Sequence, residues 1–154
     1  MRTDNKRIDI NVEIKKDIHD SINEILNSSS HEECGIFLGD KKVDSFVIKD
    51  LIHDRKVGDK TRYSSIRRTK NIYPSYLTKI HKTCDYLGEW HTHPLGDSSP
   101  SKNDHRVMVS LLGDPLYNSP ESLLLGICSK EDGLLLFLFM LLAKPIEINY
   151  SIIG

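Results

Sequence analysis

The stretch Tyr86-Leu-Gly-Glu-Trp-His-Thr-His-Pro94 decides how the rest of the chain is read. It predicts a strand over 86–93, ended by Pro94 and the turn-rich Leu-Gly-Asp-Ser-Ser-Pro that follows. Side chains two apart on a strand face the same way, so His91 and His93 converge on one side while Trp90 and Thr92 point to the other. Two neutral imidazoles at a strand end can grip one metal ion, because imidazole is a good ligand for borderline zinc. Seven residues then separate His93 from Ser101, enough for the chain to reverse direction. Ser101 reads as the N-cap of a helix running to about Leu112, which puts Asp104 in its first turn with an anionic oxygen to offer the same ion. Three protein ligands leave one tetrahedral position for water, the pattern of a catalytic zinc site, and zinc lowers the pKa of that water to about 7.

Such a site needs a proton shuttle. The candidate segment lies far upstream, in Glu32-Glu-Cys-Gly-Ile-Phe-Leu-Gly39. Neighbouring strand side chains face opposite sides, so only one of Glu32 and Glu33 can look into the site. Glu89 shares a strand face with His91 and is a rival supporting carboxylate. Asp97 is a rival metal ligand, although a turn-rich loop suits an Asx turn better. His19, His31, His53, His81 and His105 match no metal spacing, and a helix turns His105 about 100° from Asp104.

Outward from this stretch, Ile14, Ile18, Ile22, Ile25 and Leu26 recur at helical spacing and predict an amphipathic helix over 13–27. A strand over 34–38 follows, closed by Gly39-Asp40, and then a second at 43–52. Residues 53–70 read as a long polar loop carrying Lys60, Arg62, Arg67, Arg68 and Lys70, and Pro74 opens a helix over about 73–84. Segments 122–129, 134–143 and 145–152 read as strands, with Asp132-Gly133 turning between the first two. Helices interleaved with strands imply a mixed sheet with helices packed on it, an α/β or α+β domain occupying 1–154 as a single unit.

Composition narrows the class. Lys plus Arg number 21 against 22 Asp plus Glu, so no global field draws the chain to nucleic acid or anionic membrane. The longest apolar run, Leu134 to Ala143, spans ten residues where a membrane helix needs about 20, and it reads as a buried central strand. Met1 to Asp9 is charged and lacks the apolar core of a signal peptide. Cys34, Cys84 and Cys128 form no Cys-x-x-Cys and read as small buried hydrophobes in a reducing, cytoplasmic setting.

Taken together, the upstream Glu-x-x-Gly, His-x-His-Pro, seven residues to a Ser, and Ser-x-x-Asp resemble the motif of JAB/MPN (JAMM) zinc metalloproteases, from about Ile14 to the last strand. The resemblance implies a curved mixed sheet flanked by helices, in layers like those of cytidine deaminase. It implies a zinc held by His91, His93 and Asp104, with Glu32 as general base, since the family's Glu lies three residues before Gly35. Ser101 is then the oxyanion donor. The phrase 86–94 and the compact build are similar to stand-alone bacterial members that accompany ubiquitin-like conjugation enzymes in antiphage defence. Those imply isopeptidase action on a protein joined through an extended C-terminal tail, either a nucleotidyltransferase or a ubiquitin-like protein. Only Gly113 to Glu121 follows the metal-binding helix, where relatives selective among ubiquitin chains carry a longer insertion.

Zinc deaminases require Pro-Cys-x-x-Cys, which is absent, and metallo-β-lactamase-like enzymes require His-x-His-x-Asp-His where this chain continues Pro-Leu-Gly. A JAB-like group associated with DNA repair shares the motif, but the near-neutral charge argues against a nucleic-acid partner. A non-catalytic scaffold of the same fold typically lacks the ligands that are present here.

Overall fold

Ile14, which helical spacing groups with Ile18, belongs instead to a strand. The computed structural model describes residues 9–53, 84–114 and 121–154. Its first element is β1 (Asn11–Lys15), and α1 (Lys16–Ser28) begins only at Lys16, burying Ile18, Ile22 and Leu26. The offset between Ile14 and Ile18 fits a helix, so spacing alone cannot see the boundary. The rest runs β2 (Cys34–Lys42), β3 (Ser45–His53), β4 (Asp85–His93), α2 (Lys102–Leu111), β5 (Ser122–Ser129), β6 (Gly133–Met140), β7 (Ile146–Ile148) and β8 (Ser151–Ile153). The helix expected over 73–84, the loop from 54 onward and its basic cluster lie outside the described residues; Cys84 precedes β4 without regular structure.

The eight strands form one mixed sheet in the order β7-β6-β5-β4-β2-β3-β1-β8, with β1–β3, β1–β8 and β4–β5 parallel. The two edge strands are separated in sequence by Asn149 and Tyr150 alone. Three Cα–Cα steps reach at most about 11 Å, so the sheet must curl until its edges approach. α1 lies in the curl and packs against strands from both ends of the order, β1 and β8 at one and β6 at the other. Tyr150 fastens the closure by donating its hydroxyl to the Leu134 carbonyl at 2.7 Å. The segment expected as one strand over 145–152 is therefore two short strands on opposite edges.

Two further readings change. Gly39 does not end β2: the hairpin turn is Val43-Asp44, and β2 passes through Gly39 at a register shift. A Cβ there would meet the Val47 carbonyl oxygen at 1.8 Å, so this glycine permits a close backbone approach rather than a turn. The apolar run at 134–143 supplies β6, one place from the edge rather than central, and its last three residues leave the strand. Among the described residues no helix is long and apolar enough to cross a membrane.

Both faces of the middle strands are covered, which explains their near-continuous apolar sequence. Phe37, Leu87, Trp90, Leu124 and Cys128 pack on the α1 side, while Ile36, Tyr86, Leu125 and Ile127 pack with Val107, Met108 and Leu111 of α2. Parallel neighbours need a crossover, and α2 is the crossover from β4 to β5. The chain leaving β4 at His93 therefore returns with the N-terminus of α2 over the strand's C-terminal end. Open α/β sheets place their ligands at such strand ends.

Candidate functional site

The last residues of β4 carry the site. His91 is fully buried and His93 nearly so, and their ring centroids lie 4.5 Å apart on the α2 side of the sheet. The parity comes from a bulge: Gly88 pairs with Phe37 but Tyr86 with Leu38, so Leu87 is extra. Gly88 sits at φ 148°, and a Cβ there would meet the Leu124 carbonyl oxygen at 1.8 Å.

α2 brings the third side chain. Ser101 caps it in a reciprocal box: its Oγ accepts from the Asp104 N–H at 3.1 Å, and its own N–H donates to Asp104 Oδ2 at 2.7 Å. With Oδ2 so held, Asp104 Oδ1 stands 3.2 Å from His91 Nε2. Donors 2.0–2.1 Å from a tetrahedral zinc are separated by about 3.3 Å, so this pair already has the spacing of two ligands to one ion. His93 is also held in a suitable tautomer. His93 Nδ1 faces the Asp97 carbonyl oxygen at 2.5 Å; a carbonyl only accepts, so neutral His93 carries its proton on Nδ1 and its lone pair on Nε2. Among the described residues no three His, Cys, Asp or Glu side chains already close on one point as a metal cluster. The fit therefore rests on the donor chemistry, two imidazoles and a carboxylate at a strand end, and on the matched His91–Asp104 spacing.

Glu32 and Glu33 precede β2, which begins at Cys34, and their carboxylates part. Glu32 Oε1 lies 3.8 Å from His93 Nε2, whereas Glu33 Oε2 lies 3.6 Å from His53 Nε2, whose ring packs on Trp90. Glu32, His93, Asp97, Ser99 and Ser101 line a cleft of about 290 Å³. Asp97 spends Oδ1 on the Ser99 N–H at 3.1 Å, the Asx-turn role expected of it.

Glu89 shares the α2-side face with His91 but is fully buried and absent from the cleft lining. Burial holds its carboxyl well above the usual carboxylate range, against a hydrogen bond from Tyr86 that lowers it. His105 meets Phe139 edge-on, with ring centroids 5.3 Å apart, and points away from the ligands as the helical turn predicts. His19 bridges Asn23 and Tyr150 on the α1 side. Cys34 and Cys128 are buried thiols, as expected; Cys84 is half-buried.

Two supports escape sequence reasoning. The His93 partner is a backbone carbonyl, which every residue has, so no residue type announces it. The loop that presents this carbonyl is tied to the β5–β6 turn: Ser98 Oγ bonds Asp132 and lies 2.9 Å from Ser129 Oγ, which accepts from the Asp132 N–H at 3.1 Å. The only trace in the sequence is a run of short polar residues.

Residues 16–137 match the family described as prokaryotic homologs of the JAB domain. Over 113 residues the chain is 27% identical to a protein from Enterobacter hormaechei subsp. hoffmannii (strain UCI 50) named CD-NTase/cGAS isopeptidase, covering 71% of this chain. The match spans 63% of that relative's length. Among solved structures, protein DSY2949 from Desulfitobacterium hafniense superposes with a TM-score of 0.60 at 18% identity, covering 92% of this chain and 91% of that one. AF2198, a JAB1/MPN domain protein from Archaeoglobus fulgidus, gives a TM-score of 0.54 at 14% identity, covering 92% and 99%. At these identities the likeness is one of fold, and that fold is the curled mixed sheet with helices expected from the motif.

Proposed function

Because the chain belongs to the family of prokaryotic homologs of the JAB domain, we propose that it is a zinc-dependent isopeptidase that removes a conjugated protein from its target amine. One observation carries this reading: His93 and Glu32 line an open cleft, and His93 stacks beside a buried His91 whose Nε2 stands 3.2 Å from the Asp104 carboxylate. His91, His93 and Asp104 would hold the metal. Bound zinc supplies a Lewis acid and a hydrolytic water that ionises near neutral pH.

The chain's own groups do the rest. Glu32 has about a third of its side chain exposed to the cleft, where it can take the proton from water and return it to the departing amine nitrogen. The Asp97 carbonyl holds His93 in the tautomer that presents Nε2. Ser101 lines the cleft with Glu32 and is the candidate hydroxyl donor to a developing oxyanion.

The substrate reading comes from the relatives. The Enterobacter protein is named for action on a CD-NTase, which makes a nucleotidyltransferase joined through its C-terminus the first substrate to try and a ubiquitin-like protein the second. Such a role belongs with antiphage defence in the cytoplasm. The test is incubation of C-terminal fusions of each with the zinc-loaded wild type and with Glu32→Gln. Release by the wild type alone is expected; intact fusions alongside cleaved short peptides or nucleic acid would overturn deconjugation and leave a zinc hydrolase.

A further inference from the structure

Thr92 stands between the two histidines, is fully buried, and faces the opposite side of the sheet. It grips Glu33 twice. Its N–H donates to the Glu33 carbonyl at 2.8 Å, and its Oγ1 accepts from the Glu33 N–H at 2.9 Å. Residues directly opposite in an antiparallel ladder, when hydrogen-bonded, exchange two backbone bonds. The register Cys34↔His91 makes Glu33 and Thr92 the next such pair, but here a side-chain hydroxyl has replaced one backbone carbonyl. The ladder ends at Cys34, and the peptide plane joining Glu32 to Glu33 is turned toward the Thr92 hydroxyl.

That plane is the hinge of the site. On one side of it the Glu32 carboxylate reaches 3.8 Å from His93 Nε2; on the other, Glu33 reaches 3.6 Å from His53. We propose that Thr92 is the positioning residue for the general base: its hydroxyl fixes the 32–33 peptide so that Glu32, rather than Glu33, faces the ligands. The inference rests on the reading of Glu32 as base. Without an acceptor in that place the partly buried Glu33 N–H must find another partner, and the plane rotates to do so.

The chemistry needed is a hydroxyl on a short side chain. Valine copies the shape of threonine without the acceptor, and serine keeps the acceptor without the methyl group. The experiment compares Thr92→Val and Thr92→Ser in the zinc-loaded protein, with Glu32→Gln as reference. Amide exchange at Glu33, bound zinc, turnover and KM are each measured, with rates taken per folded molecule. Thr92→Val is expected to lose protection of the Glu33 amide and roughly 10–100-fold in turnover, part of the ~10²–10⁴ that general acid–base catalysis supplies. Zinc content and KM should stay within about twofold, and Thr92→Ser should restore both protection and turnover. If Val lowers the folded fraction too far to assay, Thr92→Ala against Thr92→Ser isolates the same oxygen. Full turnover or a protected Glu33 amide in Thr92→Val overturns the proposal, as does an equal loss in Thr92→Ser, which would make the methyl's packing the cause. An active Glu32→Gln would instead remove the base assignment beneath it.

Discussion

Glu32 and Glu33 are adjacent in sequence and divided in space, one carboxylate 3.8 Å from His93 Nε2 and the other 3.6 Å from His53 Nε2. The consequence is a sharp asymmetry between two nearly identical substitutions. Glu32→Gln keeps the shape but cannot carry a proton, and should lower turnover by ~10²–10⁴ while leaving bound zinc unchanged. Glu33→Gln removes an exchangeable pairing with His53 and should leave turnover near that of the wild type. A dead Glu33→Gln beside an active Glu32→Gln would mean the two roles are reversed.

The metal assignment can be separated from a plain buried His–Asp ion pair. His91→Ala and His93→Ala each remove one of three protein ligands and should lose most of the zinc, measured by elemental analysis at about one ion per chain in the wild type. Asp104→Asn is more discriminating. The amide oxygen can still accept from the Ser101 N–H, so α2 stays capped, but the anionic ligand beside His91 is gone. Zinc loss with unchanged helical circular dichroism is expected. Stoichiometric zinc in all three variants would leave these residues a structural cluster.

Ser101 combines two functions that a pair of variants can divide. Ser101→Ala removes the acceptor for the Asp104 N–H and should cost about 1 kcal/mol of stability. If the hydroxyl also donates to an oxyanion, turnover at saturating substrate should fall by ~10²–10³ after correction for folded fraction. Ser101→Thr retains the hydroxyl and should retain both properties. Stability loss without turnover loss in the alanine variant would leave Ser101 a cap alone.

The parts of the site legible in sequence are those governed by local geometry. The two-residue period of a strand puts His91 and His93 on one face, and the Ser101-x-x-Asp104 pattern announces a helix start; Glu32 and Glu33 part just before β2 begins, where that period does not apply. What escaped depends on distant partners. Ile14 keeps step with Ile18 whether it ends a strand or begins a helix, and only pairing with β3 decides. Residues 145–152 divide because the sheet curls, a property of all eight strands together. Gly39 carries the signature of a turn, yet it admits the backbone of β3. The partner of His93 is a backbone oxygen, invisible to any reading of residue types.

On the opposite side of the sheet, Cys128 makes the alkaline stability of the fold depend on one thiol. It is fully buried in β5 with Sγ 3.6 Å from Asn23 Oδ1, a contact that suits the neutral S–H as donor. Burial pushes its pKa from 9.0 up to about 11. The sign follows from which state holds the proton: above about pH 9 the unfolded chain releases it while the folded chain keeps it until about 11. Fewer protons bound in the unfolded state means stability falls as pH rises, so the contribution is full below about pH 8 and is lost through that interval. One proton limits the slope to about 1.4 kcal/mol per pH unit. The hydroxyl of Tyr150 is likewise raised, first by burial and then by the Cys128 thiolate, and removing Cys128 relieves only the second. Denaturant unfolding of wild type and Cys128→Ala across about pH 8–11 should show the wild type's advantage shrinking as pH rises. Parallel stability curves over that range would show that the thiol ionises as readily in the fold as in the open chain.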